Sequence, residues 1–346
     1  MITSCLLLNM PKRRQYVSVV LAVLGISLVS GGAPGRILDR TSLVAESDVI
    51  VAGTVVPSSG AGKTSLAVGD QEIPASILDL EIHVDDVIKG TAKRDLSVAL
   101  ILPAVGIGYK DIPVGIRRTI FLKNSDAGFV VTSPYYPSLP AGSDIRESGV
   151  SPFDYVLTSI TAVVKPNSGA SPSDQQIAIM ALRSVKSPAA TAGLEVALSN
   201  PDATLRLSAL AALLARGEVN VLSTAESVLD HPDSSIPDYL YGNIASGIGE
   251  GISNPDAVPN LSRLLANPRV DVRRVAATAL RNTRSRTALP ALVAALSDHD
   301  FKVRYYAVIG LADITGESDW RPLEGDFSAN EPKYLQYWKE WGMSSH

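Results

Sequence analysis

The sequence predicts a two-domain chain: a small, closed or nearly closed β-barrel, then a right-handed α-solenoid of about five helical hairpins with a C-terminal aromatic cap. Three observations predict it. At 346 residues the chain is long enough for about two cores. Its first half carries short apolar or alternating runs between Gly, Pro and Asn breaks. Its second half repeats itself at a spacing of 31 residues. Hydrophobic side chains make up 46% and charged ones 19%, a balance that excludes a disordered chain. The formal net charge is −4 with no basic concentration, so nothing gives an electrostatic footprint for nucleic acid. A single cysteine, Cys5, excludes a disulfide scaffold and cysteine-based zinc sites. The four histidines (His83, His231, His299, His346) lie far apart, and none begins a His-Glu-x-x-His run. No metal site is expected.

Residues 1–32 read as a signal peptide. Lys12, Arg13 and Arg14 precede an apolar run of 14 residues from Tyr16 to Val29, and Ser30, Gly31, Gly32 and Ala33 follow it. The run is shorter than the roughly 20 residues of a membrane-spanning helix. An uncleaved anchor is the alternative and the only membrane link expected. Cleavage near Gly32 removes three basic and no acidic residues, taking the formal charge from −4 to −7. It also removes Cys5, leaving a thiol-free protein suited to an oxidising compartment. The expected location is therefore the periplasm or the cell exterior.

Residues 36–140 read as the β domain. Asp48 to Val56 is β-branched and apolar, and Ile77 to Ile88 alternates. In the alternating run Leu78, Leu80, Ile82 and Val84 share one face, opposite Asp79, Glu81, His83 and Asp85. Leu96 to Leu102, Arg118 to Leu122 and Gly128 to Thr132 add three short strands. Five strands without helical period favour closure, which removes exposed edges. D-V-I-V-A-G-T-V at 48–55, V-I-K-G at 87–90 and R-T-I-F-L at 118–122 resemble the OB-like barrel of netrin and metalloproteinase-inhibitor modules. The cysteines of the animal members are missing, so the resemblance implies an accessory binding domain and no inhibitor activity. Ser58 to Thr64 looks like a phosphate-binding loop, but Pro57 stands where the first glycine is needed and has no N–H to donate. The segment is read as a flexible turn, with no nucleotide expected. His83 is read as a solvent-facing strand residue, and Asp85-Asp86 as a polar strand end.

A polar stretch rich in Pro and Gly spans Pro134 to Ser151, and residues 141–151 are taken as the linker. Residues 152–316 form the helical array. The copies starting at Ala257 and Ala288 align without gaps, and N-P-D-A-T-L-R at 200–206 matches N-P-R-V-D-V-R at 267–273, two periods away. Leu222 to Ile248 fills the gap as a degenerate copy, and Pro152 to Val164 with Pro172 to Val185 is expected as the first pair. The units at 192–214, 257–281 and 288–312 resemble HEAT repeats, in particular the short bacterial type also found in phycobilin lyase subunits. Their most specific feature is the Leu/Val-Arg pair opening each second helix, which places Arg206, Arg273 and Arg304. The resemblance implies that these arginines bind turn carboxylates and carbonyls of neighbouring units, and Asp202, Asp271, Asp298 and Asp300 are within sequence reach. A structural ladder is expected because the arginines recur with the structural period.

Residues 317–346 hold all three tryptophans, Trp320, Trp338 and Trp341. Tyr334, Tyr337, Trp338 and Trp341 fall at helical spacings, with Leu323 and Phe327 preceding them. This run is read as a cap over the open end of the array and, failing that, as a set of binding aromatics. No catalytic constellation, cofactor site or His-Glu pair can be assembled from the sequence. The expectation is a secreted or envelope-associated, non-enzymatic binding or scaffold protein whose second helices meet a protein partner. The alternative is an accessory subunit or enzyme of the cell envelope acting between barrel and solenoid.

Overall fold

A computed structural model of the chain describes residues 41–68, 71–103, 112–126, 128–133, 136–142 and 150–344. The expected signal peptide lies outside the described residues. The chain divides into two compact units, residues 1–163 and 164–346.

Among the described residues the first unit is a sheet with two helices. Strand β1 (Val49–Val68) pairs antiparallel with β2 (Gln71–Lys89), and β2 with β3 (Asp95–Pro103). β4 (Arg117–Ser125) pairs antiparallel with β5 (Gly128–Val131), which runs parallel to β3 through Val98 and Ala99. β4 also pairs with β1, from Val49 opposite Leu122 to Thr54 opposite Arg117, so the pairings form a closed circuit. A short strand β6 (Ser138–Pro140) adds to β4 inside the stretch expected to lack regular structure. Leu80, Ile82 and Val84 join Val49, Val51, Leu100, Ile120 and Leu122 in the core, with Leu78 packed against it. The alternation read from Ile77 to Ile88 therefore points the expected way.

The opposite face of β1 and β4 is buried too. Ile50 and Phe121 face each other across the ladder, and both are fully buried. Helices α1 (Thr41–Glu46) and α2 (Pro152–Val163) pack against this sheet. Burial on both faces explains why the strand sequences V-I-V-A and T-I-F-L are continuously apolar and not alternating. The sequence reading had α2 as the first helix of the repeat array; it packs with the sheet, where Ser159 Oγ accepts the Gly142 N–H at 2.9 Å.

The segment read as a flexible turn is extended strand. Gly62 and Lys63 pair with Ile77 and Ser76 inside the β1–β2 ladder, after a register shift between Val56 and Gly60. A phosphate loop needs successive N–H groups curled round one point, and from Gly60 to Thr64 this backbone is instead extended and paired with β2.

In the second unit, α3 (Pro172–Arg183) precedes four hairpins. They pair α4 (Pro188–Ala197) with α5 (Ala203–Ala215), α6 (Leu222–Asp230) with α7 (Asp238–Gly251), α8 (Val258–Leu264) with α9 (Val270–Asn282), and α10 (Leu289–Ala295) with α11 (Phe301–Thr315). Second helices stack in the order α3, α5, α7, α9, α11. Helix α12 (Glu324–Ser344) follows, interrupted by non-helical backbone at Asn330 just before Pro332. Small residues set the closest approach: a Cβ on Gly251 would lie 2.2 Å from the Leu214 carbonyl oxygen of α5. At corresponding helix ends 67 residues apart, Gly217 (φ 91°) and Arg284 (φ 49°) both adopt the left-handed conformation. Glycine does so freely, whereas arginine carries strain of roughly 1 kcal/mol.

Candidate functional site

The repeat turns are held by one recurring device. Asn200, Asn267 and Asp298 open equivalent turns, and their Oδ1 atoms accept the N–H two residues on at 2.9, 2.9 and 2.8 Å. That local bond fixes each side chain so that its other end reaches the preceding unit. Asn200 Nδ2 donates to Gln175 Oε1 at 2.9 Å, and Asn267 Nδ2 donates to Asp230 Oδ1 at 2.7 Å. Asp298 accepts from Arg273 Nε at 2.8 Å and Nη2 at 3.2 Å. Both asparagines are buried, so these bonds satisfy groups that would otherwise be costly to desolvate.

Six residues after each of these comes an arginine that closes the same turn from outside. Arg206 Nη1 donates to the carbonyls of Asn200 and Pro201 at 2.8 and 2.7 Å. Arg273 Nη1 does so to Asn267 and Pro268 at 3.0 and 3.2 Å, and Arg304 Nη1 to Asp298 and His299 at 2.8 and 2.9 Å. Two of the arginines also reach forward, Arg273 to Asp298 and Arg304 to Glu331 on α12. In the degenerate copy Tyr241 occupies the arginine position. Its hydroxyl accepts the Asp233 N–H at 2.7 Å and donates to the Asp233 carbonyl at 3.1 Å.

Of the four carboxylates within sequence reach, one receives a repeat arginine: Asp298. Asp202 instead caps α5, accepting the Thr204 N–H at 2.7 Å. Asp271 pairs with Arg269, and Asp300 with Arg274. Sequence reasoning missed Glu331, which follows the last copy and so has no periodic signal. It also missed Arg216, whose side chain is only 6% exposed. Arg216 donates to the Val185 and Ser187 carbonyls and, at 2.7 Å, to Thr191 Oγ1, bracing the turn between α3 and α4. Burial pulls its pKa below the usual arginine value, and Glu218 partly offsets that.

Charges on the second helices are largely compensated. Arg274 holds the Asp300 carboxyl at about 2 through a bidentate pair at 2.9 and 2.6 Å. Burial pushes Asp313 up, but hydrogen bonds from Arg321 and Arg281 outweigh it and leave the group below its ordinary range. Asp298 behaves alike, burial being overcome by Arg273.

At the other end of the array the aromatics gather as the sequence spacing suggests. Phe327 and Trp338 are fully buried, and α12 packs on α10 and α11. Phe327 lies against Phe301 and Tyr305 at 5.3 and 5.5 Å between ring centres. Trp338 meets Tyr337 and Trp341 edge to face, and its indole N–H donates to the Trp320 carbonyl at 3.3 Å. Trp320 stacks on Tyr337 at 3.7 Å and stands edge-on to Tyr334. Leu323, expected among the packed residues, is 70% exposed: it lies in the turn just before α12, and Phe327 takes the place against Phe301 and Tyr305 of α11.

In the first unit His83 is half-exposed and its Nδ1 lies 2.9 Å from Asp95 Oδ1. Asp85 and Asp86 form a clasp around Arg117, which also donates to the Gly142 carbonyl at 2.7 Å. Among the described residues no group of three or more His, Cys, Asp or Glu side chains is placed to hold a metal ion. No described helix is long and apolar enough to cross a membrane.

The family model of HEAT repeats matches residues 237–312 and 258–337. A comparison with curated protein sequences finds no relative. Among solved structures, a designed armadillo repeat protein in complex with the peptide (KR)4 matches at 18% identity, covering 46% of this chain and 81% of that one, with a TM-score of 0.33. An engineered protein matches at 20% identity, covering 47% and 83%, also with a TM-score of 0.33. Residues 237–337 are thus similar to HEAT repeats in sequence, and the helices from Pro172 to Ser344 form a stacked helical array.

Two predictions follow from this geometry. Asp300 titrates near 2 in the folded chain against an ordinary value of 3.8, so the stability it contributes is complete above about pH 4 and is lost as pH falls toward 2. Asp300→Asn keeps the helix cap and removes the ion pair, and should cost up to about 1 kcal/mol at pH 7. In urea titrations the gap between the two proteins should close between pH 4 and 2; a gap independent of pH would contradict the pairing. Truncation after Gly316 exposes the α10–α11 face that Phe327 and Trp338 cover, at roughly 1.5–3 kcal/mol for each large side chain removed from its site. The shortened chain should aggregate or melt many degrees lower. A monomer that melts like the parent would exclude a capping role.

Proposed function

We propose that this chain is a non-enzymatic binding or scaffold protein, exported to the periplasm or cell exterior, whose second helices present a surface to a protein partner. One observation carries the reading. Framework positions are repeated from unit to unit, whereas the outward positions beside them are not. The arginine position holds Arg206, Tyr241, Arg273 and Arg304, all closing a turn. After Arg206 the next two residues, Leu207 and Ser208, are buried, whereas in the last three units the corresponding positions are Gly242 and Asn243, Arg274 and Val275, and Tyr305 and Tyr306, each pair exposed or half-exposed. An array whose frame is fixed while each unit displays different chemistry suits recognition of an extended partner. A helical repeat fold is consistent with such a scaffold.

The closed five-strand circuit, with one parallel pairing between β3 and β5, supports reading the first unit as an OB-like barrel, an accessory binding module. Export is supported by the basic, apolar and small-residue succession from Lys12 to Ala33.

Helix α7 offers the clearest test. Tyr239, Asn243, Ser246 and Glu250 are exposed at helical spacing, and Tyr239 is 61% exposed. Residues 33–346, immobilised and exposed to envelope extract of the producing cell, should retain a defined protein partner. A Tyr239→Lys, Asn243→Glu, Ser246→Glu variant should lose that partner without a change in melting temperature. Equal retention by both would place the partner surface elsewhere.

A further inference from the structure

The cap contains more aromatic surface than capping uses. Phe327 and Trp338 take the fully buried positions, whereas Trp320, Tyr334 and Tyr337 remain half-buried. The Trp320 and Tyr334 rings stand at 83° to each other with centres 6.1 Å apart, forming two walls of a corner. Tyr337 backs the first wall, stacked on Trp320 at 3.7 Å and 6°. The Lys333 ammonium lies over both walls, 5.3 Å from the Trp320 centre and 5.9 Å from the Tyr334 centre. Among the described residues Lys333 makes no ion pair, and the two rings are its nearest charge-stabilising protein groups.

The walls are pre-organised. Trp320 is anchored through its own carbonyl by the Trp338 indole N–H, and Tyr334 and Tyr337 sit one turn apart on the α12 segment after Pro332. Lys333 is exposed, so moving it aside opens the corner to solvent. Two converging π-faces stabilise an ammonium most when it is weakly hydrated, which favours a methylated or quaternary ammonium over lysine itself. The net negative charge of the chain favours a cation's approach.

We propose that Trp320 and Tyr334, backed by Tyr337, form a binding subsite for a methylated or quaternary ammonium group. Lys333 is its resident occupant, displaced when the ligand enters. The subsite is independent of the partner surface on the second helices.

Calorimetric titration with choline, and with its uncharged isostere 3,3-dimethylbutan-1-ol, tests this on the chain from residue 33 to 346. Choline should bind saturably and the alcohol at least tenfold more weakly. Lys333→Ala, at an exposed position, should tighten choline binding by about fivefold or more, because the competing occupant is gone. Trp320→Leu should abolish binding; should that variant unfold, the Lys333→Ala and isostere comparisons decide alone. A peptide carrying trimethyllysine identifies the source of the group: tighter binding than choline points to a protein tail, equal binding to a small molecule. Absence of saturable choline binding to Lys333→Ala, no tightening relative to the parent, or equal binding of the uncharged alcohol would each overturn the proposal.

Discussion

A hairpin of two helices of seven to fifteen residues cannot cover its own apolar stripe, so each unit depends on being locked in register with the next. In this chain the lock is a polar ladder at the turns. Asn200, Asn267 and Asp298 each spend one side-chain oxygen on their own turn and the rest of the side chain on the unit before. The repeat arginines then seal the carbonyls that the tight turn leaves unpaired. The apolar contacts between helices, from Leu205 through Leu311, are strong but tolerate sliding. Directional bonds at one end of each hairpin do not, and they give the stack its register.

The same arrangement accounts for the charge pattern of the second helices. Arginines that look available in the sequence are committed: Arg273 to Asp298, Arg274 to Asp300, Arg281 and Arg321 to a shared Asp313. A surface whose charges are internally paired has little long-range pull on a polyanion. Under the proposed reading, a partner would be selected by local shape and by the residues left between the pairs, such as Tyr239, Asn243 and Tyr306.

Much of this was legible before any coordinates, and the failures have physical causes. The 31-residue spacing exposed α8 to α11 because framework positions must recur when identical interfaces are stacked. The degenerate copy hid its turn-closing residue, since Tyr241 performs with one hydroxyl what arginine performs with a guanidinium. Glu331 was invisible for the opposite reason: a terminal partner needs to match only one neighbour and has no copy to align with. In the sheet, alternation at Ile77 to Ile88 gave the core face correctly, with Leu80, Ile82 and Val84 inward. The continuous runs at Ile50 and Phe121 carried a further message, that their face of the sheet is buried too, and α1, packed on β4 and on α2, is part of what covers it. Ser58 to Thr64 misled because Gly and Ser favour turns locally, yet from Gly60 onward a long ladder with β2 overrides that preference. The cap was readable from the spacing of Phe327, Tyr334 and Trp338, whereas the exposure of Leu323 depends on a turn direction that spacing does not encode.

The central claim is that units are held in register by the turn ladder and not by apolar packing alone. A double-mutant cycle on Arg273→Met and Asp298→Asn measures it most directly, because Asp298 belongs to the following unit and Asn retains its own turn bond. Unfolding free energies of the parent, both single variants and the double variant should reveal a coupling of about 1–2 kcal/mol, as expected for a partly buried bidentate pair. Additive effects, to within about 0.3 kcal/mol, would mean that the pair merely accompanies the packing and would contradict the account.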